Sequence, residues 1–448
     1  MSDWLDTFAA FLANFRYADL PDSTVDQARY VLLDTIGAIA CGAQEPEMAA
    51  ANARLGAVPG PATLIGAGRA TTPSAAALLN GMAGTFLEMD EGNRFARGHP
   101  SIHTFGAAWA LGEARDVSGH AFLEAFVLGY EAAARLGMAA PLKPPLHPHG
   151  TWGGLGAAVA AGKLYGFDAA QMRDLVNVFS SLTLASSKRT MLEGGLVRNA
   201  YAGVSNQMGL MAAELVLCGF DGERDGLRSV FGNIVAQRFE PEVLTAALGE
   251  VWQIEHNYFK RHSCCRYNHG ALDALEKLLV AHGPLGIGAI ERIDVQSYRD
   301  AAEMDDQSPR NTLAAKFSVP FAIASRLVTG SSDVGSFTWD AVRNPAIQAL
   351  AKRVFITEDP ALTAMLPQFR PARVQLCCVD GTVLEASTDS NRGDDQDPYS
   401  REELREKFRA LSGRAWSADV IAQTERDILR LQDIARIADV STRWSAEA

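Results

Sequence analysis

The chain has 448 residues, 48% of them apolar, and a formal net charge of −12 at pH 7. That length accommodates about three domains or two larger ones, and that apolar share suits globular cores. The acidic balance excludes nucleic acid and anionic membrane surfaces as expected partners, so an anionic ligand has to meet a local basic cluster.

Met1 to Arg16 reads as an amphipathic helix carrying Asp3 and Asp6 rather than as a secretion signal, and no apolar run approaches the ~20 residues that span a bilayer. A cytoplasmic location without a membrane partner is expected. Further helices are expected from Val25 to Ala40 after Ser23, Ala75 to Met89 after Ser74, Ala121 to Gly137 after Ser118, and Ala169 to Leu184 after Asp168, each behind a residue that can cap it. Small residues recur at helical spacing from Leu155 to Gly162, which permits close helix packing.

Strand signals begin after His269. Ile290 to Tyr298 alternates, and Ala372 to Val379, Asp380-Gly381 and Thr382 to Ala386 form a hairpin pattern. Helices are expected between them at Thr312 to Leu327 and Pro345 to Lys352. The breaker-rich stretch Ser390 to Pro398 then leads to helices at Ser400 to Leu411 and Ala418 to Ala438. The fold class expected is mainly α with a smaller α+β domain: residues 1–266 form the first part of a helical domain, 267–397 an α+β insertion, and 398–448 the helices that complete the first domain. No fixed-period repeat marks a solenoid.

Chemistry gathers in or beside three glycine- and proline-punctuated segments. These are Glu88-Met89-Asp90-Glu91 running to Gly98-His99-Pro100-Ser101, then Leu146-His147-Pro148-His149-Gly150-Thr151, then Lys260 to His269. Imidazole gives and takes protons near neutral pH, so the clustering points to an acid/base enzyme. The six cysteines include the vicinal pairs Cys264-Cys265 and Cys377-Cys378 but no C-x-x-C, so no metal site is expected. Thr151-Trp152-Gly153-Gly154 lacks both nucleotide fingerprints, and no phosphate cofactor is expected either.

In order and spacing these segments resemble the MmgE/PrpD family, whose members include 2-methylcitrate dehydratase, cis-aconitate decarboxylase and iminodisuccinate epimerase. The resemblance also rests on Leu33-Asp34-Thr35-Ile36-Gly37, Gly219-Phe220-Asp221-Gly222, Ala315-Lys316-Phe317-Ser318-Val319-Pro320-Phe321 and Asp380-Gly381, and so covers nearly the whole chain. It implies a helical domain with an α+β lid, a homodimer, and cofactor-free, metal-independent chemistry on a small di- or tricarboxylate in the cleft between them. Carried over residue by residue, it assigns Glu88, Asp90, His99, His147, Arg198 and Lys260 to that cleft.

Four positions depart from the family pattern: Glu88 where aspartate is usual, Gly92 where a hydroxyl is common, His149 where threonine is common, and Arg198 where several members have a catalytic lysine. A guanidinium clamps a carboxylate but does not readily shuttle protons. The expected catalytic set is Asp90, His99, His147 and Lys260. The expected substrate-binding set is Glu88, Asn93, His149, Lys188, Arg198, Arg266 and His269, with Arg189 and Arg261 as further cations.

Dehydration by general acid/base catalysis is the reaction expected, with epimerisation, decarboxylation or a non-catalytic binding role as alternatives. Each assignment also has a structural reading: His99 as a helix cap, His147 and His149 as part of a proline-stiffened loop, the acidic run as a solvated helix end, and Lys260 as a surface lysine.

Overall fold

The computed structural model describes residues 3–445. It is mainly α-helical, with a small mixed sheet. The first helix, Trp4–Asn14, starts where Asp3 accepts from the Leu5 N–H. Met1 and Ser2 of the expected helix lie outside the described residues. Gly119–Ala139 and Ala169–Ser180 begin at the expected caps, Ser118 and Asp168.

Two helix starts differ from expectation. Asp22–Gly42 begins behind Pro21, and the Ser23 and Thr24 hydroxyls instead donate to the Glu255 carboxylate at 2.9 and 2.6 Å. Pro73–Phe86 is capped by Thr72, which leaves Ser74 inside the first turn. That helix also stops before Met89, because Glu88 takes a left-handed φ of 54°.

Small residues bring helices close together, as their spacing suggested. A Cβ on Gly129 in Gly119–Ala139 would lie 2.5 Å from the Gly156 carbonyl in Gly154–Tyr165. A Cβ on Gly209 in Tyr201–Leu217 would lie 2.4 Å from the Ala157 side chain. Only glycine permits such approach without moving a backbone.

The sheet runs in the order Val354–Glu358, Ile290–Ser297, Ala372–Cys378, Val383–Thr388. The last two strands are the expected hairpin, turning at Gly381 with φ 85°. Val354–Glu358 pairs parallel to Ile290–Ser297 and was not read from the sequence. The expected helix from Thr312 is two helices, Thr312–Lys316 and Val319–Thr329, because Ser318 caps the second by accepting from the Phe321 N–H. The helix expected to run to Ala438 ends at Leu429, and Ala438–Ser445 follows after a short 3₁₀ turn.

Buried apolar side chains form two clusters. One joins the helices before Phe259 with Phe408, Trp416, Ile428 and Trp444 near the C-terminus. There Trp444 stacks on Trp109 and Trp416 at 5.3 and 5.5 Å. The other runs from Cys264 to Cys378, with Met191 from earlier in the chain, and takes in one face of the sheet.

Candidate active site

A cavity of about 510 Å³ is lined by residues that flank or belong to both clusters. Of the expected residues, Glu88, His99, His147, His149, Lys188, Arg189, Arg198 and Arg266 line it, while Arg261 borders a separate cavity. Asp90, Asn93, Lys260 and His269 do not line it. They stand behind its wall, each in contact with the wall or with the loop that carries His99.

The acidic run owes its position to the broken helix end. With Glu88 in the left-handed region, the chain turns inward and carries Glu88, Asp90 and Glu91 into the interior, where each is almost wholly buried. The solvated-helix-end reading is thereby corrected. Glu88 forms an ion pair with Arg198 and accepts from Lys260 Nζ at 2.9 Å. Asp90 lies 3.0 Å from His99 Nδ1 and 3.6 Å from Lys260 Nζ.

Burial alone would raise both carboxyl pKa values, but Arg198 and Lys260 outweigh it for Glu88, and His99 and Lys260 outweigh it for Asp90. Both are held below the usual carboxylate range. Burial would likewise lower Lys260, yet Glu88 and Asp90 hold it above the usual lysine value. Lys260 is therefore a buried, paired positive charge rather than a surface lysine. It borders a second cavity, of about 350 Å³, beside Met89 and Cys41.

His99 precedes the helix Pro100–Ala114, but its ring makes no capping bond. Glu91 does that work instead, accepting from the Ser101 N–H at 2.8 Å. The other Glu91 oxygen accepts from the Tyr130 hydroxyl at 3.1 Å, and burial pushes this carboxyl well above its usual pKa. The backbone carbonyl of Glu91 lies 2.5 Å from His99 Nδ1. A carbonyl only accepts, so Nδ1 carries a proton and Nε2 is the nitrogen free to exchange one.

His147 has the opposite polarity. Its Nδ1 accepts from the His149 backbone N–H at 3.0 Å, so the neutral ring bears its proton on Nε2. Burial first, then the charge of Arg198, pushes both His147 and His149 well below the usual imidazole range. His149 is the hub of the cluster, with ring centroids 4.8 Å from His99, 4.9 Å from His147 and 4.9 Å from His103. Both nitrogens of His103 lack a hydrogen-bond partner among the described residues, and burial above all lowers its pKa to about 3. Gly153 makes room for that ring, since a Cβ there would lie 2.4 Å from it.

Lys188 pairs with Asp300 and Glu303 at 3.0 and 2.6 Å. Arg266 pairs with Asp394 and donates to His269 Nδ1 at 3.2 Å, which makes His269 a support for Arg266. Asn93 accepts from the Phe95 and Ala96 N–H groups at 3.0 and 2.9 Å and donates to the Gln253 carbonyl. It shapes the loop that carries His99 and does not reach the cavity. Burial pushes the Cys264 and Cys265 thiols up, Cys265 to about 11, as packing residues require. Among the described residues no group of three or more His, Cys, Asp or Glu side chains is arranged to hold a metal ion.

Tyr258 and Arg370 line the cavity and were not singled out from the sequence. Tyr258 pairs with Gly92 in a two-residue ladder, and a Cβ on Gly92 would lie 2.4 Å from the Tyr258 hydroxyl oxygen. The phenol fills the space beside residue 92 that a side chain there would take. The missing side chain at Gly92 was the available signal. Arg370 reaches the cavity from an irregular segment that carries no motif.

Residues 6–239 match the MmgE/PrpD N-terminal domain and residues 262–431 the MmgE/PrpD C-terminal domain. Among curated relatives, the cis-aconitate decarboxylase of Aspergillus terreus is 24% identical over 459 residues, covering 96% of this chain and 92% of its own length. The cis-aconitate decarboxylase-like protein oryM of Aspergillus oryzae is 26% identical, covering 98% and 96%. The human cis-aconitate decarboxylase is 25% identical, covering 98% and 93%. No helix of the described chain is long and apolar enough to cross a membrane. With both domains matched across nearly the whole sequence, the chain belongs to the MmgE/PrpD family.

Proposed function

We propose that this protein is a cofactor-independent lyase of a small polycarboxylate, and that it removes carbon dioxide from an unsaturated tricarboxylate of the cis-aconitate kind. The observation that carries the proposal is the opposed polarity of His99 and His147 on one cavity wall beside the Arg198–Glu88–Lys260 cluster. The relatives named cis-aconitate decarboxylase support the choice of reaction.

Decarboxylation breaks a carbon–carbon bond and leaves its electron pair in the conjugated system, next to the remaining carboxylates. Fixed cations stabilise that charge without reorganising, and the fixed geometry removes an entropic cost. A proton must then reach carbon. His99 delivers it from Nε2, entering the step as the imidazolium and leaving it neutral with its remaining proton on Nδ1, which is committed to Glu91 and faces Asp90; solvent then restores the Nε2 proton. His147 donates its Nε2 hydrogen to a substrate carboxylate.

Dehydration of a citrate-like hydroxy acid is the second reading, and the same pair favours it. There His99 Nε2 takes the proton from carbon and His147 assists the leaving hydroxide. With either reading go a lid role for residues 267–397 over residues 1–266 and 398–448, and a homodimer.

Incubation with cis-aconitate, citrate, 2-methylcitrate and iminodisuccinate, each with and without chelator, tests it. Carbon dioxide release from cis-aconitate that chelator leaves unchanged is expected. A new ultraviolet absorbance from citrate or 2-methylcitrate without carbon dioxide would favour dehydration instead.

A further inference from the structure

The cations around the cavity differ in what neutralises them. Arg198 has Glu88 and Arg266 has Asp394, while the half-buried Lys188 has two acidic partners. Arg370 is different. It is 7% exposed and lines the cavity, yet among the described residues no carboxylate lies within ion-pair distance of its guanidinium. Among those residues its Nη1 has no hydrogen-bond partner, and Nη2 has only a long contact, 3.5 Å, to the Arg94 carbonyl.

What surrounds the charge is aromatic. The guanidinium lies 5.5 Å from the Tyr258 ring centroid and 6.0 Å from that of Tyr267, two further lining residues. Ring faces attract a cation but supply no acceptor for its N–H groups. Burying a guanidinium with unused donors costs stability unless something else completes it. The backbone holds the residue in place, its N–H donating to the Asp389 carbonyl at 3.1 Å.

We infer that Arg370 forms a carboxylate subsite of its own, with Tyr258 and Tyr267 as its walls, which binds one carboxylate of the substrate while Arg198 serves another. This deepens the polycarboxylate reading above and rests on it. A planar fork with free N–H groups suits a carboxylate, which it can grip with two parallel bonds. The two guanidinium sites have no protein partner in common: Arg198 meets Glu88, the Thr85 carbonyl and the Phe317 ring, and Arg370 meets the Arg94 carbonyl and two tyrosines. A ligand with carboxylates on separate carbons fits two such sites better than a monocarboxylate does.

Titration calorimetry with tricarballylate, a saturated tricarboxylate that has no double bond or hydroxyl to react, tests the subsite on the full-length protein, on Arg370→Gln and on Arg370→Lys. Arg370→Gln should weaken binding roughly 10- to 100-fold, the range for losing a charged hydrogen-bonded contact. Arg370→Lys should recover part of it, keeping charge without the fork. The unliganded Arg370→Gln protein should melt at or above the parent temperature, because the charge it removes has no carboxylate partner among the described residues.

Binding by Arg370→Gln within about twofold of the parent, with the parent binding well, overturns the subsite and leaves the polycarboxylate reading standing. A parent that binds no tricarboxylate overturns both. Large melting losses in both variants, with affinity retained by the folded protein, mark Arg370 as structural and also overturn the subsite.

Discussion

The His149 backbone N–H donates to Nδ1 of His147 at 3.0 Å, and that bond leaves the neutral His147 ring with its proton on Nε2. His147→Gln, whose terminal amide can imitate an Nε2–H donor, should therefore keep more turnover than His147→Ala. His99→Gln should lose roughly 10²- to 10⁴-fold, the usual worth of a positioned proton carrier. Steady-state kinetics on the best substrate, with melting curves to verify folding, check the order. Equal losses in the two His147 variants would contradict the donor role.

The Glu88 carboxylate is shared by two buried cations, so Glu88→Gln leaves Arg198 and Lys260 facing each other without it. Stability should fall by about 3–5 kcal/mol. Lys260→Met, which leaves Glu88 paired with Arg198, should cost less. Urea denaturation of both variants gives the comparison, and a larger loss for Lys260→Met would reverse the account of which group ties the cluster together.

Acid should unfold this protein partly through its buried imidazoles. His103 has a folded pKa of about 3, below the ordinary ~6.5 of the unfolded chain. Between those values the unfolded state binds the extra proton, so its contribution is fully present above about pH 6.5 and fades as pH falls toward 3. His147 and His149 act in the same direction. His103→Leu should flatten the pH dependence of the melting temperature between pH 6.5 and 4, and an unchanged slope would refute it.

Gly92 and Tyr258 compete for one space. Gly92→Ala should displace the phenol and cost about 1–3 kcal/mol of stability through overpacking. Tyr258→Phe should leave stability nearly unchanged, since the hydroxyl makes no hydrogen bond among the described residues, while lowering kcat/KM by about tenfold, the worth of one substrate hydrogen bond. Thermal melts and kinetics of both variants separate the two effects.

Local signals carried much of the architecture. Ser118 and Asp168 cap helices where their spacing said they should, and Asp380-Gly381 turns the hairpin. Val354–Glu358 was missed because a short edge strand, parallel and mostly exposed, has no alternation or turn to announce it. The break before Val319 was missed because apolar periodicity continues through Phe317 and Ser318.

At the site, the histidines and acidic residues sat in recognisable segments, but their division between the cavity and its wall depends on long-range contacts. Nothing near residue 260 says that Lys260 will be spent on Glu88 and Asp90. Nothing near residue 370 says that a guanidinium there will face two tyrosines from segments more than a hundred residues earlier.

The most direct test of the central claim is carbon dioxide release from cis-aconitate in chelator-treated buffer, compared between the parent protein and His99→Gln of equal thermal stability. The account predicts steady release by the parent, matched by an equal amount of an unsaturated dicarboxylate, and its near-complete loss in His99→Gln. Equal release by the two proteins, or none by the parent, would contradict it.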